Sequence, residues 1–213
     1  MRETIDNAEN QENHYPSICR EDSDELKIAR RIAPGQKLCD VRGGAASVHS
    51  WEIPQVFGRT NKRHRELLCV LIKARRRLRL RSFGDADPVL PADLGSWLGR
   101  NCESDIAVLV DRGFLVRKGN RLDFARRFNG KFRRLRMDGV SNAVDTRFGD
   151  ARYFLHPTEN RGFSVREAAR IQGFPDSFVL TGSRESQFKL IGNAVPIPMA
   201  KKVASAIRGA LHL

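Results

Sequence analysis

Hydrophobic residues recur at helical spacing through the middle and end of this chain, and at strand spacing in one short stretch between. From 61 to 81, NKRHRELLCVLIKARRRLRLR sets Leu67, Leu68, Leu71, Ile72, Arg75 and Leu78 on one buried stripe and fills the other face with arginines, which predicts an amphipathic helix. A short helix follows near 91–98, with Leu94, Trp97 and Leu98 inward. A third spans 102–113, with Ile106, Leu109 and Val110 on one face and Gly113 as its stop. FLVRKGNRLDFA (114–125) then alternates around Lys118-Gly119-Asn120, the pattern of a β-hairpin tip.

Towards the N-terminus the pattern fades. Residues 1–24 are polar, acidic and aperiodic, the composition of a disordered leader. DELKIARRIAPGQK predicts a short helix ended by Pro34-Gly35. SVHSWEIPQVFG (47–58) predicts an extended connector anchored by Trp51 and Ile53, with Pro54 preventing a regular helix. The predicted organisation is a leader (1–24), a connector (25–60), a basic subdomain (61–126), a following segment with a supporting helix (127–186) and a closing turn and helix (187–213).

Three helices followed by a hairpin is the element order of a winged-helix domain, in which the third helix enters the major groove and the hairpin lies along the backbone. Here the third helix carries Glu103, Asp105 and Asp111, a poor surface to set against phosphates. Arg75, Arg76 and Arg77 of the first helix and Arg117, Lys118 and Arg121 of the wing are the better candidates. A subdomain used only for packing or protein contact fits the same residues equally well.

Charge sharpens this picture. The net charge is +13, but residues 1–25 hold eight acids and two bases, so the remainder carries a surplus of 19 positive charges. A polyanion is the natural partner of such a body, since each neutralised phosphate releases counterions. Ten bases and one acid, Asp123, lie between Arg112 and Arg136. Lys131, Arg133, Arg134 and Arg147 join the candidate DNA contacts, interleaved with Phe128, Phe132, Phe148, Tyr153 and Phe154. Most of these aromatics read equally as a small core beneath a basic surface.

The four cysteines (Cys19, Cys39, Cys69 and Cys102) are scattered, and the five histidines isolated, so neither a disulfide framework nor a metal site is expected. No apolar run reaches the roughly 18–20 residues needed to span a bilayer. With no signal-like start, the cytoplasm is the expected compartment.

Two strings near the C-terminus carry the chemistry. In SVREAARIQGFPDSF (164–178), Ser164 and Glu167 form a capping box, Val165, Ala168, Ala169 and Ile171 give an apolar face, and Gly173 and Pro175 end the helix. Arg166, Glu167 and Arg170 read as an exposed charge ladder. In QFKLIGNAVPIPMAKKVASAI (187–207), Gly192 permits close backbone approach and Asn193 offers a donor and an acceptor. Pro196 and Pro198 start a helix whose stripe is Met199, Val203, Ile207, Ala210 and Leu211.

Together these strings closely resemble the two final motifs of DNA (cytosine-5) methyltransferases, in order and in spacing. MDGVSNAVDTRFG resembles the segment where many members have Ser-Pro-Thr-Val: Ser141 and Val144 match, whereas Asn142 and Ala143 replace Pro and Thr, which puts the threonine's phosphate contact in doubt. The resemblance covers roughly 128–213, with 40–127 fitting as the variable recognition region. It implies that the first string's helix supports the target-recognition domain. It also implies that Asn193 and Val195 line S-adenosylmethionine, and that double-stranded DNA is the substrate.

The family's chemistry needs a thiolate that adds to carbon 6 of a flipped cytosine and an acid that stabilises the ring. Pro-Cys, Glu-Asn-Val, Gln-x-Arg-x-Arg and Phe-x-Gly-x-Gly supply these functions, and none occurs in these residues. None of the four cysteines follows a proline. No catalytic residue is therefore assigned. The expected fold is α+β: a small target-recognition domain with a winged-helix-like insertion, plus a C-terminal helix belonging to an incomplete Rossmann-like methyltransferase domain. The expected function is the recognition and cofactor-closing portion of such an enzyme from a restriction–modification system, inactive alone and completed by an N-terminal half. A winged-helix DNA-binding module, the remnant of an interrupted gene and a basic protein-interaction fragment are the alternatives. The stripe at 199–211 is expected to be exposed in the isolated chain.

Overall fold

The computed structural model describes Ile5, 11–41, 44–84, 86–125 and 132–211. Phe128 and the candidate contact Lys131 lie outside the described residues. In chain order the elements are α1 (Asp24–Ala29), β1 (Lys37–Cys39), β2 (Ser47–His49), α2 (Pro54–Phe57), α3 (Lys62–Arg77), α4 (Pro91–Leu98) and α5 (Glu103–Asp111). They continue with β3 (Leu115–Lys118), β4 (Arg121–Phe124), β5 (Arg133–Arg134), β6 (Phe154–Leu155), α6 (Val165–Ile171), α7 (Arg184–Asn193) and α8 (Ile197–Ala210). This mixture of helices with small two-stranded sheets fits the α+β class. The chain divides into two compact units, Leu38–Gly130 and a second made of Met1–Lys37 with Lys131–Leu213.

In the Leu38–Gly130 unit, α3 starts where the Asn61 side chain accepts the His64 amide at 2.8 Å. Its stripe works as the spacing predicts: Leu67, Leu68, Leu71 and Ala74 are fully buried and pack with Leu94 of α4 and with Ile106 and Leu109 of α5. Each leucine or isoleucine among them contributes roughly 1.5–3 kcal/mol by leaving water. The hairpin forms at the expected place, Leu115 opposite Phe124 and Lys118 opposite Arg121, with Gly119 at φ 61 in its turn. Val89 bridges Leu122 on the hairpin's other edge.

Three details differ from expectation. Pro54 does not prevent a helix; it starts α2 from the first helical position, where its missing N–H costs nothing. Trp97 is 41% exposed, because Leu98 rather than Trp97 follows Leu94 onto the core. Asp105 is buried rather than presented outward, with Arg100 at 2.6 Å, Arg63 at 3.3 Å and His64 at 3.6 Å.

The other unit packs Leu135, Val144, Phe148, Phe163, Val165, Ala168, Ala169, Leu180, Phe188 and Ile191 into one core. Where composition predicts a disordered leader, residues 12–18 are stitched to α6 and its flanks. Asn13 exchanges side-chain hydrogen bonds with the Leu180 carbonyl (2.9 Å) and amide (3.1 Å). The Arg166 amide donates to the Asn13 carbonyl at 3.0 Å, and the Gly162 amide to that of Ser17 at 3.1 Å. A polar segment is held here because buried backbone groups elsewhere need its partners.

Candidate functional site

The two C-terminal strings fold against one another within a single unit. In α6 the Glu167 amide donates to the Ser164 hydroxyl at 3.1 Å, and the Glu167 carboxylate accepts the Ser164 amide at 2.7 Å, closing the capping box. The charge ladder is not exposed. Arg166 has no exposed surface and donates to the carbonyls of Glu12, Pro175 and Phe178 at 2.9, 3.3 and 3.1 Å. Glu167 is buried and takes two hydrogen bonds from Arg161, at 2.9 and 2.8 Å. Burial pushes the Glu167 carboxyl up, but the hydrogen bonds from Arg161 and the Ser164 amide outweigh it and hold the group below the ordinary glutamate value. Burial, followed by the Arg161 charge, lowers His156, whose Nε2 lies 3.7 Å from Glu167. Arg170, the third member, pairs with Asp176 at 2.7 Å.

The second string is fixed to the first by one side chain. Gln172, just after α6, donates its side-chain amide to the carbonyls of Ile191 (3.0 Å) and Ala194 (3.2 Å), and its backbone carbonyl accepts the Ile197 amide at 3.0 Å. Gly192 is required by close approach: a Cβ there would lie 2.5 Å from the Thr146 nitrogen and 2.6 Å from the Asp145 carbonyl carbon. The turn therefore rests on the backbone just beyond Ser141–Val144. Gly173 is constrained twice, by φ +83 and by the Pro198 ring, whose Cδ would lie 2.5 Å from an added Cβ.

The turn around Asn193–Val195 and α8 face outward from this scaffold. Asn193 is exposed and Val195 is 57% exposed. Not one residue of α8 is buried, and Met199, Val203 and Ile207 show about half their surface, with Leu211 just beyond. An amide and a pair of methyl groups on a fixed turn fit one wall of a ligand pocket.

The candidate DNA contacts fall into two groups. Arg75 is 2% exposed and pairs at 2.8 Å with the fully buried Asp123, its guanidinium 5.6 Å above the Phe124 ring. Arg134 is buried too, donating to the carbonyls of Ala29, Ile32, His156 and Glu159 and to Asn160 at 2.6–2.8 Å. Burial lowers its pKa. Both side chains, expected at the surface, are instead spent on partners in the interior. Arg76 and Arg77 are exposed. The wing residues are exposed or half-buried but engaged: Arg117 with Glu103 at 3.0 Å, Lys118 with Asp123 at 2.7 Å, Arg121 with the Pro88 carbonyl at 3.1 Å. Arg133 is half-buried. Arg147 is exposed, paired with Asp145 at 2.8 Å and stacked 4.5 Å over Tyr153.

Cys39 and Cys102 are buried, and burial raises the thiol pKa of Cys19, Cys69 and Cys102, which keeps those three protonated. Among the described residues no His, Cys, Asp and Glu cluster could hold a metal, and no helix is long and apolar enough to cross a membrane.

Comparison with known proteins names the family. Residues 93–209, more than half the chain, match the model of C-5 cytosine-specific DNA methylases, and the chain belongs to that family. Type II methyltransferase M.AgeI of Thalassovita gelatinovora is 45% identical over 85 residues, 39% of this chain and 20% of that protein. Type II methyltransferase M.HgiBI of Herpetosiphon aurantiacus is 28% identical over 200 residues, 80% of this chain and 44% of its own length. DNA (cytosine-5)-methyltransferase 1 of Gallus gallus is 42% identical over 82 residues, 37% of this chain and 5% of that protein. The chain thus spans less than half the length of these relatives.

Proposed function

We propose that this chain is the C-terminal, target-recognition and cofactor-closing portion of a DNA (cytosine-5) methyltransferase of a cytoplasmic restriction–modification system. Within the Leu38–Gly130 unit, α3, α4 and α5 with the hairpin and the Val89 bridge are read as a winged-helix-like recognition module. The apolar stripe of α8 is read as the face that packs onto a Rossmann-like sheet carried outside these residues, on the N-terminal half that also holds the thiol nucleophile and the cofactor loop.

One observation carries the proposal. Gln172 and the Gly173–Pro198 contact join the two strings, and the joined strings present Asn193, Val195 and an unburied helix outward. Asn193 and Val195 then form one wall against S-adenosylmethionine, which supplies the methyl group when bound. Calorimetric titration of S-adenosylmethionine tests this. The chain mixed with an N-terminal methyltransferase half bearing Pro-Cys and Phe-x-Gly-x-Gly binds it, and Asn193→Ala weakens the binding. Undiminished binding in both Asn193→Ala and Val195→Ser mixtures contradicts the assignment.

A further inference from the structure

We infer that duplex DNA is met in the Leu38–Gly130 unit by the exposed ridge of α3, and neither by the third helix nor by the hairpin. The inference rests on the methyltransferase function proposed above and names the surface that serves it.

Lys62, Arg65, Cys69, Lys73 and Arg76 follow one another at three- and four-residue steps, so they share one face of α3, with Arg77 beside it. All six are exposed. Among the described residues none of the five cations pairs with a carboxylate. The ridge runs about 21 Å from Lys62 to Arg76, at 1.5 Å per residue. That length faces roughly six phosphates of one strand, at 3.4 Å per phosphate along the helix axis. Two acids lie near it: Glu66, 3.8 Å from Arg100, and Glu52, whose carboxylate accepts the His49 amide at 2.6 Å.

The competing surfaces are already neutralised. The exposed face of α5 holds Glu103, Ser104, Ala107, Val108 and Asp111, with no cation at all. On the hairpin, Arg117 answers Glu103 and Lys118 shares Asp123 with Arg75, so moving either to a phosphate gives up an ion pair. Among the described residues of this unit, α3 therefore offers a polyanion a continuous row of exposed cations without carboxylate partners. Its regular spacing on a straight helix suits the regular backbone of a duplex better than an irregular acidic protein surface.

The test measures the affinity of the full chain for a duplex oligonucleotide at several salt concentrations. A quadruple variant (Lys62→Gln, Arg65→Gln, Lys73→Gln, Arg76→Gln) is compared with a hairpin variant (Arg117→Gln, Lys118→Gln, Arg121→Gln). Losing four phosphate contacts lowers the slope of log affinity against log salt by about 3–4, since each contact contributes about 0.9. The hairpin variant keeps the original slope. In the unaltered chain, bound duplex slows alkylation of Cys69, which lies mid-ridge, so the result does not depend on the variant folding. Retained affinity in the ridge variant with unchanged Cys69 alkylation overturns the ridge but leaves the proposed function standing. Failure of the unaltered chain to bind duplex, or equal binding to an acidic polypeptide, overturns both.

Discussion

The Gln172 side-chain amide lies 3.0 Å from the carbonyl oxygen of Ile191, nineteen residues downstream. That bond joins the end of one C-terminal string to the turn of the other, and a second bond to Ala194 closes the clasp. Two strings that look like separate motifs along the chain are thus one structural object. Gln172→Ala leaves the Ile191 and Ala194 carbonyls without this donor, at a cost of about 1–3 kcal/mol for buried polar groups. Urea denaturation is expected to register that loss, and limited proteolysis to cut first within 192–197.

Gly192→Ala tests the contact on the opposite side of the same turn. A methyl group 2.5 Å from the Thr146 nitrogen forces backbone to move. The expected destabilisation is about 1–3 kcal/mol, the usual range for overpacking, read as a lowered urea midpoint with an unchanged m-value. An unchanged midpoint shows that the 145–146 segment gives way freely.

The Arg161–Glu167 pair predicts a pH dependence. Glu167 is held below its ordinary value of 4.5 and His156 below 6.5. For both groups the unfolded chain takes up the proton first as pH falls. The stability they contribute is complete above the unfolded values and is lost as pH drops through the lower folded ones. Urea midpoints are therefore expected to fall from pH 7 to pH 4. Glu167→Gln leaves Arg161 with only Glu159 as an anionic partner, costs about 3–5 kcal/mol at pH 7, and flattens the acid part of the curve.

Arg75 and Arg76 separate structure from binding at adjacent positions. Arg75→Met removes one buried partner of Asp123, which keeps Lys118 at 2.7 Å, and is expected to cost about 1.5–3 kcal/mol. Arg76→Gln, at an exposed site, stays within about 0.5 kcal/mol. Thermal melts of the two variants check this, and the double change Arg75→Met with Asp123→Leu is expected to recover much of the loss.

Substituting Val203 and Ile207 of α8 by Ser tests the outward helix. Both are about half exposed, so the melting temperature of the chain is expected to hold. Association with the N-terminal half, measured by analytical ultracentrifugation, is expected to weaken.

Much of the fold was legible wherever periodicity and turn chemistry agree: α3, α5, the hairpin around Gly119 and the Ser164–Glu167 capping box lie where the residue pattern puts them. The buried charges were not, because a charged residue reads as a surface residue unless its partner is visible. Arg134 finds carbonyls from residues 29 and 32, over a hundred positions away, and Arg166 finds one at residue 12. Arg75 carried its own signal, since its spacing placed it on the buried stripe while its charge suggested DNA. For the site, the turn after Asn193 and the helix that follows it were legible from Gly192-Asn193 and the two prolines. Gln172 lies within the first string, but nothing local shows that its partners lie nineteen and twenty-two residues on.

The most direct measurement is transfer of labelled methyl groups from S-adenosylmethionine to duplex DNA by the purified chain, alone and mixed with an N-terminal half carrying Pro-Cys. Labelled 5-methylcytosine is expected from the mixture and from neither part separately. Incorporation by these 213 residues alone would contradict the division of one active site proposed here.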